Sequence, residues 1–232
     1  MQTGAERNWI PGPSRGLRSV VMDKREYFDL SPKVGESIAV FPGDTPYRRR
    51  LLLDFEKGHS LVLSGIETTL HLGAHADAPS HYHPKGAAID ERDLNLYFGP
   101  AQVVDVSGLP RGERVGLSHW GKRTVQAPRI LFSTGSFPDP NLWNGDFNSL
   151  SPELLRFLAA QGVRLVGIDT PSVDPAESKA LEAHQALYAG DFAVLEGLVL
   201  EGVPEGVYEL TALPLRLSGA DASPVRAVLW KK

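Results

Sequence analysis

The feature that most constrains the fold is a cluster of histidines in the first half of the chain. Four of the seven histidines lie within thirteen residues, where an even distribution over 232 residues would place fewer than one. The stretch reads His71-Leu72-Gly73-Ala74-His75-Ala76-Asp77-Ala78-Pro79-Ser80-His81, with His83 close behind. Glycine and proline can force such a backbone into a tight turn. The preceding segment, Ser60–Leu70, has the Leu, Val, Ile and Thr content of a strand. We therefore expect a tight loop after a strand, on which imidazoles and a carboxylate converge.

The donor chemistry of this loop indicates a metal site. The chain has no cysteine, so disulfides, thiolate zinc sites and cysteine nucleophiles are excluded. Neutral imidazoles and carboxylates are ligands suited to zinc, manganese or iron, and the lack of thiolates argues against a closed structural zinc site. A catalytic metal is therefore favoured over an exposed polar loop without function, which rarely carries histidines at this density.

Two residues far along the chain are further candidates. Glu196 interrupts the apolar run Ala193–Leu200, where an ionised carboxylate is unfavourable unless it is paired, protonated or bound to a metal. The same pattern also fits a half-buried strand with Glu196 on its solvent face. His184 lies in a segment of strong helix formers, and a single histidine on a helix face is more often a packing residue than a ligand.

The pattern of short elements predicts an α/β chain with a mixed β-sheet core and few helices. A helix is expected from Pro152, capped by Ser151 and ended by Gly162, and a second over Ser178–Tyr188. We expect a single domain over residues 27–232 behind an N-terminal extension, 1–26, that is rich in Gly, Pro and Arg. Besides Ser60–Leu70, the predicted strands are Ala101–Val106, Arg129–Phe132, Arg164–Ile168, Phe192–Leu200, Val207–Leu217 and Val225–Trp230.

Charge and hydropathy limit the partners. The formal net charge of -4, from 24 Lys and Arg against 28 Asp and Glu, gives no reason to expect nucleic acid or an anionic membrane as partner. No window holds eighteen apolar residues, and the first residues lack the apolar segment of a secretory signal, so we expect a cytoplasmic protein. The run Arg48–Arg50 is typical of a solvated face, although one of these arginines is a candidate contact for an anionic substrate.

The histidine stretch resembles the signature of the cyclase family of metal-dependent hydrolases, and within it the formamidase members. The resemblance covers the chain from about Tyr27 to the C-terminus. The segments that support the resemblance are Phe41–Pro46, Gly167–Ser172, Asp174–Lys179 and Leu195–Gly197. The resemblance implies a swivelling β/β/α fold and a homodimer or homotetramer acting on a small-molecule substrate.

The resemblance also implies roles for individual residues. His71, His75 and Asp77 match ligands of one divalent ion, usually zinc with manganese as an alternative. Asp77 and Glu196 match residues that bridge to a second ion, which the position of His184 binds. By the same resemblance, His81 matches the catalytic acid/base, and Phe41 stands where formamidases have a substrate-contacting Trp. A phenyl ring keeps the stacking face of that Trp but lacks the indole N–H.

The activity implied is hydrolysis of N-formyl-L-kynurenine to L-kynurenine and formate, a step of tryptophan catabolism. The alternative within the same metal chemistry is another small amide or lactam, such as isatin. A third reading is a non-catalytic protein that keeps its metal for folding, in which substitution of His81 would leave every function intact.

Overall fold

The computed structural model describes residues 26–231, so the predicted N-terminal extension lies, except for its last residue, outside the described part. The strands of this part are β1 (Tyr27–Asp29), β2 (Arg48–Leu53), β3 (Leu63–Glu67), β4 (His75–Asp77), β5 (Phe98–Asp105), β6 (Arg114–Val115), β7 (Arg129–Ser133), β8 (Ser149–Leu150), β9 (Leu165–Ile168), β10 (Ala193–Glu196), β11 (Gly206–Thr211), β12 (Ala222–Pro224) and β13 (Val228–Trp230). The α-helices are α1 (Pro79–Tyr82), α2 (Leu117–Trp120), α3 (Pro152–Ala160) and α4 (Glu182–Ala189), with 3-10 turns at Phe55–Lys57, Ile89–Glu91 and Leu94–Leu96. Within residues 26–231, none of the helices combines the length and the apolar character needed to cross a bilayer.

A nine-stranded mixed sheet organises the molecule, as the sequence predicts. Its strand order is β1-β13-β11-β5-β7-β9-β10-β4-β12. The central pairs β5–β7, β7–β9 and β9–β10 are parallel, whereas the strands on both sides pair antiparallel. Two smaller sheets, β2–β3 and β6–β8, complete the described strands.

The sheet separates two apolar cores. Successive residues of a strand point to opposite faces, so Ile130 packs with the helices while its neighbour Leu131 packs into the other core. The first face is covered by α2, α3 and α4, whose buried leucines and Trp120 lie against the central strands. The core on the second face contains Ile89 and Leu96 from two of the 3-10 turns, together with residues of the antiparallel strands.

Two predictions about the histidine region are corrected. The segment Ser60–Leu70 forms a strand only over β3, and β3 pairs with β2 in an exposed hairpin outside the large sheet. The histidines were expected on a loop, but His75 and Asp77 lie on a strand, β4, and His81 lies in the short helix α1. Three residues are too few for a periodic pattern, so β4 exists because its neighbours β10 and β12 pair with it.

Candidate metal centre

Strand register brings the first three candidate ligands together. His75 and Asp77 are two residues apart on β4, and Glu196 lies directly opposite His75 on β10. Side chains at such positions share one face of a sheet. Val194, two residues before Glu196, packs among the helices, so the shared face is the one that the helices cover. Glu196 is 3 % exposed, which excludes the solvent-face interpretation.

Helix α4 supplies His184 to the same face. The carboxylate of Asp174 accepts hydrogen bonds from the backbone N–H groups of Ala183 and His184, both at 3.0 Å. Oδ2 of Asp174 also accepts from Nδ1 of His184 at 2.8 Å. Nη1 of Arg114 lies 3.2 Å from the other oxygen of Asp174, Oδ1. Asp174 therefore fixes both the start of α4 and the rotation of the imidazole, and His184 is not a simple packing residue.

Two glycines allow the segment that carries His71 to approach the end of β10. Gly73 has φ +54° and Gly197 has φ +63°, a region that favours glycine. A Cβ atom on Gly197 would lie 2.1 Å from the carbonyl oxygen of Gly73. The residue after Glu196 must therefore lack a side chain for the two segments to pack as they do.

Asp77 lies at the centre of the cluster. One oxygen, Oδ1, is 2.9 Å from Nδ1 of His71 and 3.3 Å from Nε2 of His75. The other, Oδ2, is 3.5 Å from Nε2 of His184. Glu196 contacts the same two Nε2 atoms, that of His75 at 3.4 Å and that of His184 at 3.5 Å. The five predicted metal ligands thus form one cluster, in which all but the half-buried His71 are buried.

The facing atoms of the cluster fit a metal ion. Both Asp77 oxygens and the Nε2 atoms of His75 and His184 are buried, and among the described residues none has a hydrogen-bond partner. These atoms are close together but lack hydrogen-bond geometry towards one another. Buried polar atoms are normally satisfied, and imidazole nitrogen with carboxylate oxygen is a donor set for zinc or manganese. The residues present therefore fit a divalent ion.

The second nitrogen of each imidazole has an acceptor of its own. Nδ1 of His75 donates to the carbonyl of Gly73 at 2.8 Å, and because a carbonyl only accepts, Nε2 of neutral His75 carries its lone pair towards Asp77 and Glu196. His184 donates to Asp174 in the same sense. His71 is turned the other way, with Nε2 towards a carboxylate and Nδ1 towards Asp77. Metal-binding histidines commonly have such outer partners, which fix the ring and its tautomer.

Without a metal, the imidazoles and carboxylates of the cluster stabilise one another in their charged forms. Burial alone would lower the pKa of His75, but Asp77 and Glu196 raise this pKa to about 10. The pKa of His184 is likewise raised, against burial, by Asp174, Asp77 and Glu196. Burial opposes ionisation of Asp77, yet the surrounding imidazoles keep the pKa of its carboxyl well below the usual value. The buried carboxylates of Asp77 and Glu196 therefore stay ionised because protonated imidazoles lie beside them. A bound metal cation would compensate their negative charge in the same way.

His81, the predicted acid/base, lies at the edge of the cluster. Its ring centroid is 4.2 Å from that of His71, and its side chain is 36 % exposed. Two sets of three residues have donor atoms within 4.8 Å of one another: His71, Asp77 and His81, and His75, Asp77 and Glu196. His81 thus adjoins the cluster while it remains accessible.

The cluster opens into a cavity of about 1230 Å³ with an aromatic wall. Phe41, the predicted substrate contact, lines this cavity, and its ring packs edge-on against Trp143 with centroids 4.9 Å apart. The ring centroid of Phe137 lies 6.2 Å from that of Trp143. An indole therefore lines the cavity next to Phe41, from Trp143 on a loop about one hundred residues later.

Sequence reasoning missed three residues of this site: Asp174, Trp143 and Asp221, whose carboxylate is the partner of His71 Nε2. Asp174 and Asp221 are single acids in loops, and only the fold shows that they face histidines. The candidate arginines at 48–50 are exposed on the β2–β3 hairpin and do not line the cavity, where the cationic side chains are Lys33 and Lys179.

Comparison with protein families and curated proteins gives a consistent result. The Cyclase family, described as "Putative cyclase", matches residues 28–175. A protein named kynurenine formamidase from Bordetella pertussis is 43% identical over 206 residues, which are 88% of this chain and 98% of that protein.

Solved structures share the architecture. A structure described as a potential metal-dependent hydrolase with cyclase activity superposes with a TM-score of 0.78 at 26% identity, over 89% of this chain and 98% of that one. Isatin hydrolase A from Labrenzia aggregata superposes with a TM-score of 0.76 over 89% of this chain and 93% of its own, but at 21% identity this likeness shows the fold alone.

Proposed function

Because the chain belongs to the cyclase family, we propose that it is a metal-dependent arylformamidase that hydrolyses N-formyl-L-kynurenine to L-kynurenine and formate in tryptophan catabolism. The observation that carries the proposal is the buried cluster of unpartnered imidazole and carboxylate atoms at the end of an aromatic-walled cavity. The 43% identity to a curated kynurenine formamidase over nearly its whole length supports the choice of substrate.

The cluster is proposed to hold two divalent ions, most simply zinc, with His71, His75, Asp77, His184 and Glu196 as ligands. Divalent ions on such donors supply a nucleophile derived from water near neutral pH and withdraw electrons from an amide carbonyl. The ligands are pre-oriented for this, because Gly73 and Asp174 hold His75 and His184 with their Nε2 lone pairs inward. Asp77, whose two oxygens contact three imidazoles, would hold the ions together with these histidines.

His81 is proposed to move the proton that the reaction requires. Hydrolysis breaks the bond between the formyl carbon and the aniline nitrogen, and a water supplies OH to the carbon and a proton to the nitrogen. An accessible imidazole at the mouth of the cluster can deliver that proton to the leaving nitrogen. The ring of His81 has this position beside His71, at the cavity surface.

The cavity is proposed to bind the aryl ring of the substrate against Phe41 and Trp143. Aromatic rings pair favourably edge-to-face or offset, and Phe41 and Trp143, which are in T-shaped contact, both line the cavity. Lys33 and Lys179 also line it, among several carboxylates, and are the proposed partners of the amino-acid carboxylate of the substrate.

We further assign the protein to the cytoplasm and to a homodimer or homotetramer. The hairpin of β2 and β3 supports self-association, because it lies outside the large sheet and exposes most of its apolar side chains. Large exposed apolar patches mark interaction surfaces in soluble proteins.

The test of the function is formate release from N-formyl-L-kynurenine by zinc-loaded protein, with and without a chelator. We expect turnover that the chelator abolishes and added zinc restores. Protein that is folded and contains zinc but releases no formate would refute the proposed substrate.

A parallel assay with isatin separates the proposal from its alternative. The formamidase reading predicts slow or absent opening of the lactam next to rapid formate release. Rapid opening of isatin without formate release reverses the assignment. Inactivity on both substrates, with stoichiometric zinc, favours a non-catalytic metal protein.

A further inference from the structure

Asp221 contacts two imidazoles of the site at once. Its Oδ2 atom is 3.1 Å from Nε2 of His71, a hydrogen bond, and 3.6 Å from Nδ1 of His81. Its side chain is 50 % exposed and lines the cavity. No other carboxylate among the described residues lies within 4.0 Å of both His71 and His81.

The backbone holds Asp221 at this place. Its carbonyl oxygen accepts from the N–H of Ala78 at 2.8 Å, and the next residue, Ala222, pairs with Asp77 across strands β12 and β4. The sheet register that positions the ligand Asp77 therefore also positions Asp221. The backbone position from which the Asp221 side chain reaches the two imidazoles is thus fixed by the sheet.

Asp221 differs from the other outer partners of the cluster. The acceptors behind His75 and His184 are a backbone carbonyl and the fully buried Asp174, and each serves one imidazole. Asp221 lines the cavity and contacts two rings whose centroids are 4.2 Å apart. A single carboxylate can therefore set the orientation of one ring relative to the other.

We propose that Asp221 is a positioning residue that fixes the tautomers of His71 and His81 and couples the metal cluster to the proton carrier. It accepts from Nε2–H of His71, which leaves Nδ1 free for the metal, and from Nδ1–H of His81, which leaves Nε2 as the atom that carries the catalytic proton. The 3.6 Å between Oδ2 of Asp221 and Nδ1 of His81 exceeds a hydrogen-bond distance, and the proposed role requires this contact to shorten during catalysis. The inference rests on the proposed function for its kinetic part and on the geometry alone for the tautomers.

The experiment compares Asp221→Ala, which removes the acceptor, with Asp221→Asn, which keeps an acceptor oxygen without charge. The control is Glu153→Gln, an equal loss of charge at an exposed position on α3. Zinc affinity is measured by chelator competition, kinetics by formate release, and tautomers by long-range ¹H–¹⁵N spectra of ¹⁵N-histidine-labelled, zinc-loaded protein.

We expect Asp221→Ala to lower kcat and zinc affinity each by about 10- to 100-fold, the usual effect of removing an outer partner, with KM changed less than threefold. Asp221→Asn should lose less of both, and the control should match the parent. In the spectra, His81 of the parent should be the Nδ1–H tautomer. In Asp221→Ala, the tautomer equilibrium of His81 should move towards Nε2–H.

Three outcomes would overturn the inference. A KM increase with unchanged kcat would make Asp221 a substrate contact. Unchanged zinc affinity and kcat in Asp221→Ala would show that Asp221 does not couple the metal cluster to His81. An unchanged His81 tautomer would show that Asp221 does not position this ring. If the parent itself releases no formate, the function proposal fails, while zinc affinity and the tautomer spectra still decide the role of Asp221. If Asp221→Ala does not fold, Asp221→Asn provides the same readouts.

Discussion

Without a metal, the negative charges of the cluster are balanced by protons on its imidazoles, and a bound metal would take the place of these protons. The carboxylates of Asp77 and Glu196 keep buried imidazoles protonated, and they raise the pKa of His75 to about 10 against the opposing effect of burial. A divalent cation supplies the same compensation without those protons. The stability of the protein is therefore expected to depend on pH differently with and without metal.

Chelator-treated protein should be most stable between about pH 4.5 and 6.5. A histidine with a raised pKa contributes stability fully below its ordinary value of 6.5, and this contribution is lost as the pH rises towards about 10. The carboxyl of Glu196 has a lowered pKa despite its burial, so its contribution is present above its ordinary value of 4.5 and lost as the pH falls. Melting curves from pH 4 to 10 measure this. The same decline above pH 6.5 in zinc-loaded protein would contradict the explanation.

A second prediction at this scale separates His81 from its neighbour His83. His81→Asn should lower kcat by about 10²- to 10⁴-fold, the range for loss of a general acid, with zinc content unchanged. His83→Asn is the matched control, because the ring of His83 stacks on Tyr188 at 3.6 Å and does not line the cavity. Loss of zinc from His81→Asn would make His81 a ligand, which its proximity to His71 and Asp77 also permits.

At the scale of elements, local signals were sufficient for some predictions and insufficient for others. Helix α3 was predicted correctly because its determinants are adjacent: Ser151 accepts from the N–H of Leu154 at 3.1 Å. Strand β4 was missed because its partners lie about 120 and 147 residues later in the chain. His71, His75 and Asp77 stood out because their chemistry is unusual in one short stretch, and Glu196 and His184 became candidates mainly through the family resemblance. Asp174 and Asp221 become recognisable only when the fold places them against imidazoles.

Strand β10 is followed directly by Gly197, and the close packing at this point gives a prediction at the scale of elements. Gly197→Ala combines a left-handed backbone with a Cβ that would lie 2.1 Å from the Gly73 carbonyl oxygen. We expect a loss of roughly 3–5 kcal/mol in unfolding free energy together with weaker zinc binding. Gly162→Ala is the control: φ is +82° there, but nothing lies within 4 Å of the added Cβ. It should cost about 1–2 kcal/mol and leave zinc binding intact.

Urea unfolding and zinc titration of both variants measure these effects. Equal losses of stability in Gly197→Ala and Gly162→Ala would show that backbone strain alone matters at residue 197. Unchanged zinc affinity in a folded Gly197→Ala would show that the close approach of the two segments is not needed for the cluster.

At the scale of the whole molecule, the site is assembled from segments that are distant in sequence. The loop and strand from His71, helix α4, the end of β10 and Asp221 meet only when the large sheet is complete. The β2–β3 hairpin is the exception, since it lies outside that sheet and almost all of its residues are exposed or half-exposed. A two-stranded hairpin without a core is marginally stable in water, so this part of the described chain lacks what stabilises the rest.

A second copy of the chain is the partner that we expect on this hairpin, which gives the last prediction. The exposed apolar residues of the hairpin and its connection are Leu51, Leu52, Phe55, Leu61, Val62, Leu63 and Ile66. An apolar patch that pairs with its own copy gives a closed twofold interface. Ile66 is the most exposed of them at 68 %, so Ile66→Asp places a charge where the interface would be dry.

Light scattering of the protein as it elutes from a size-exclusion column should give at least twice the mass of one chain for the parent. For Ile66→Asp, the measured mass should fall towards that of a single chain. Leu117→Asp is the control, since Leu117 is also exposed and apolar but lies on α2, away from the hairpin in the chain. Thr69, two residues before His71, is tied to Thr45 by a backbone hydrogen bond of 3.0 Å, so loosening the hairpin should also lower zinc affinity. A monomeric parent, or an Ile66→Asp protein that keeps its mass, would place the subunit contact elsewhere and leave the exposed hairpin without this explanation.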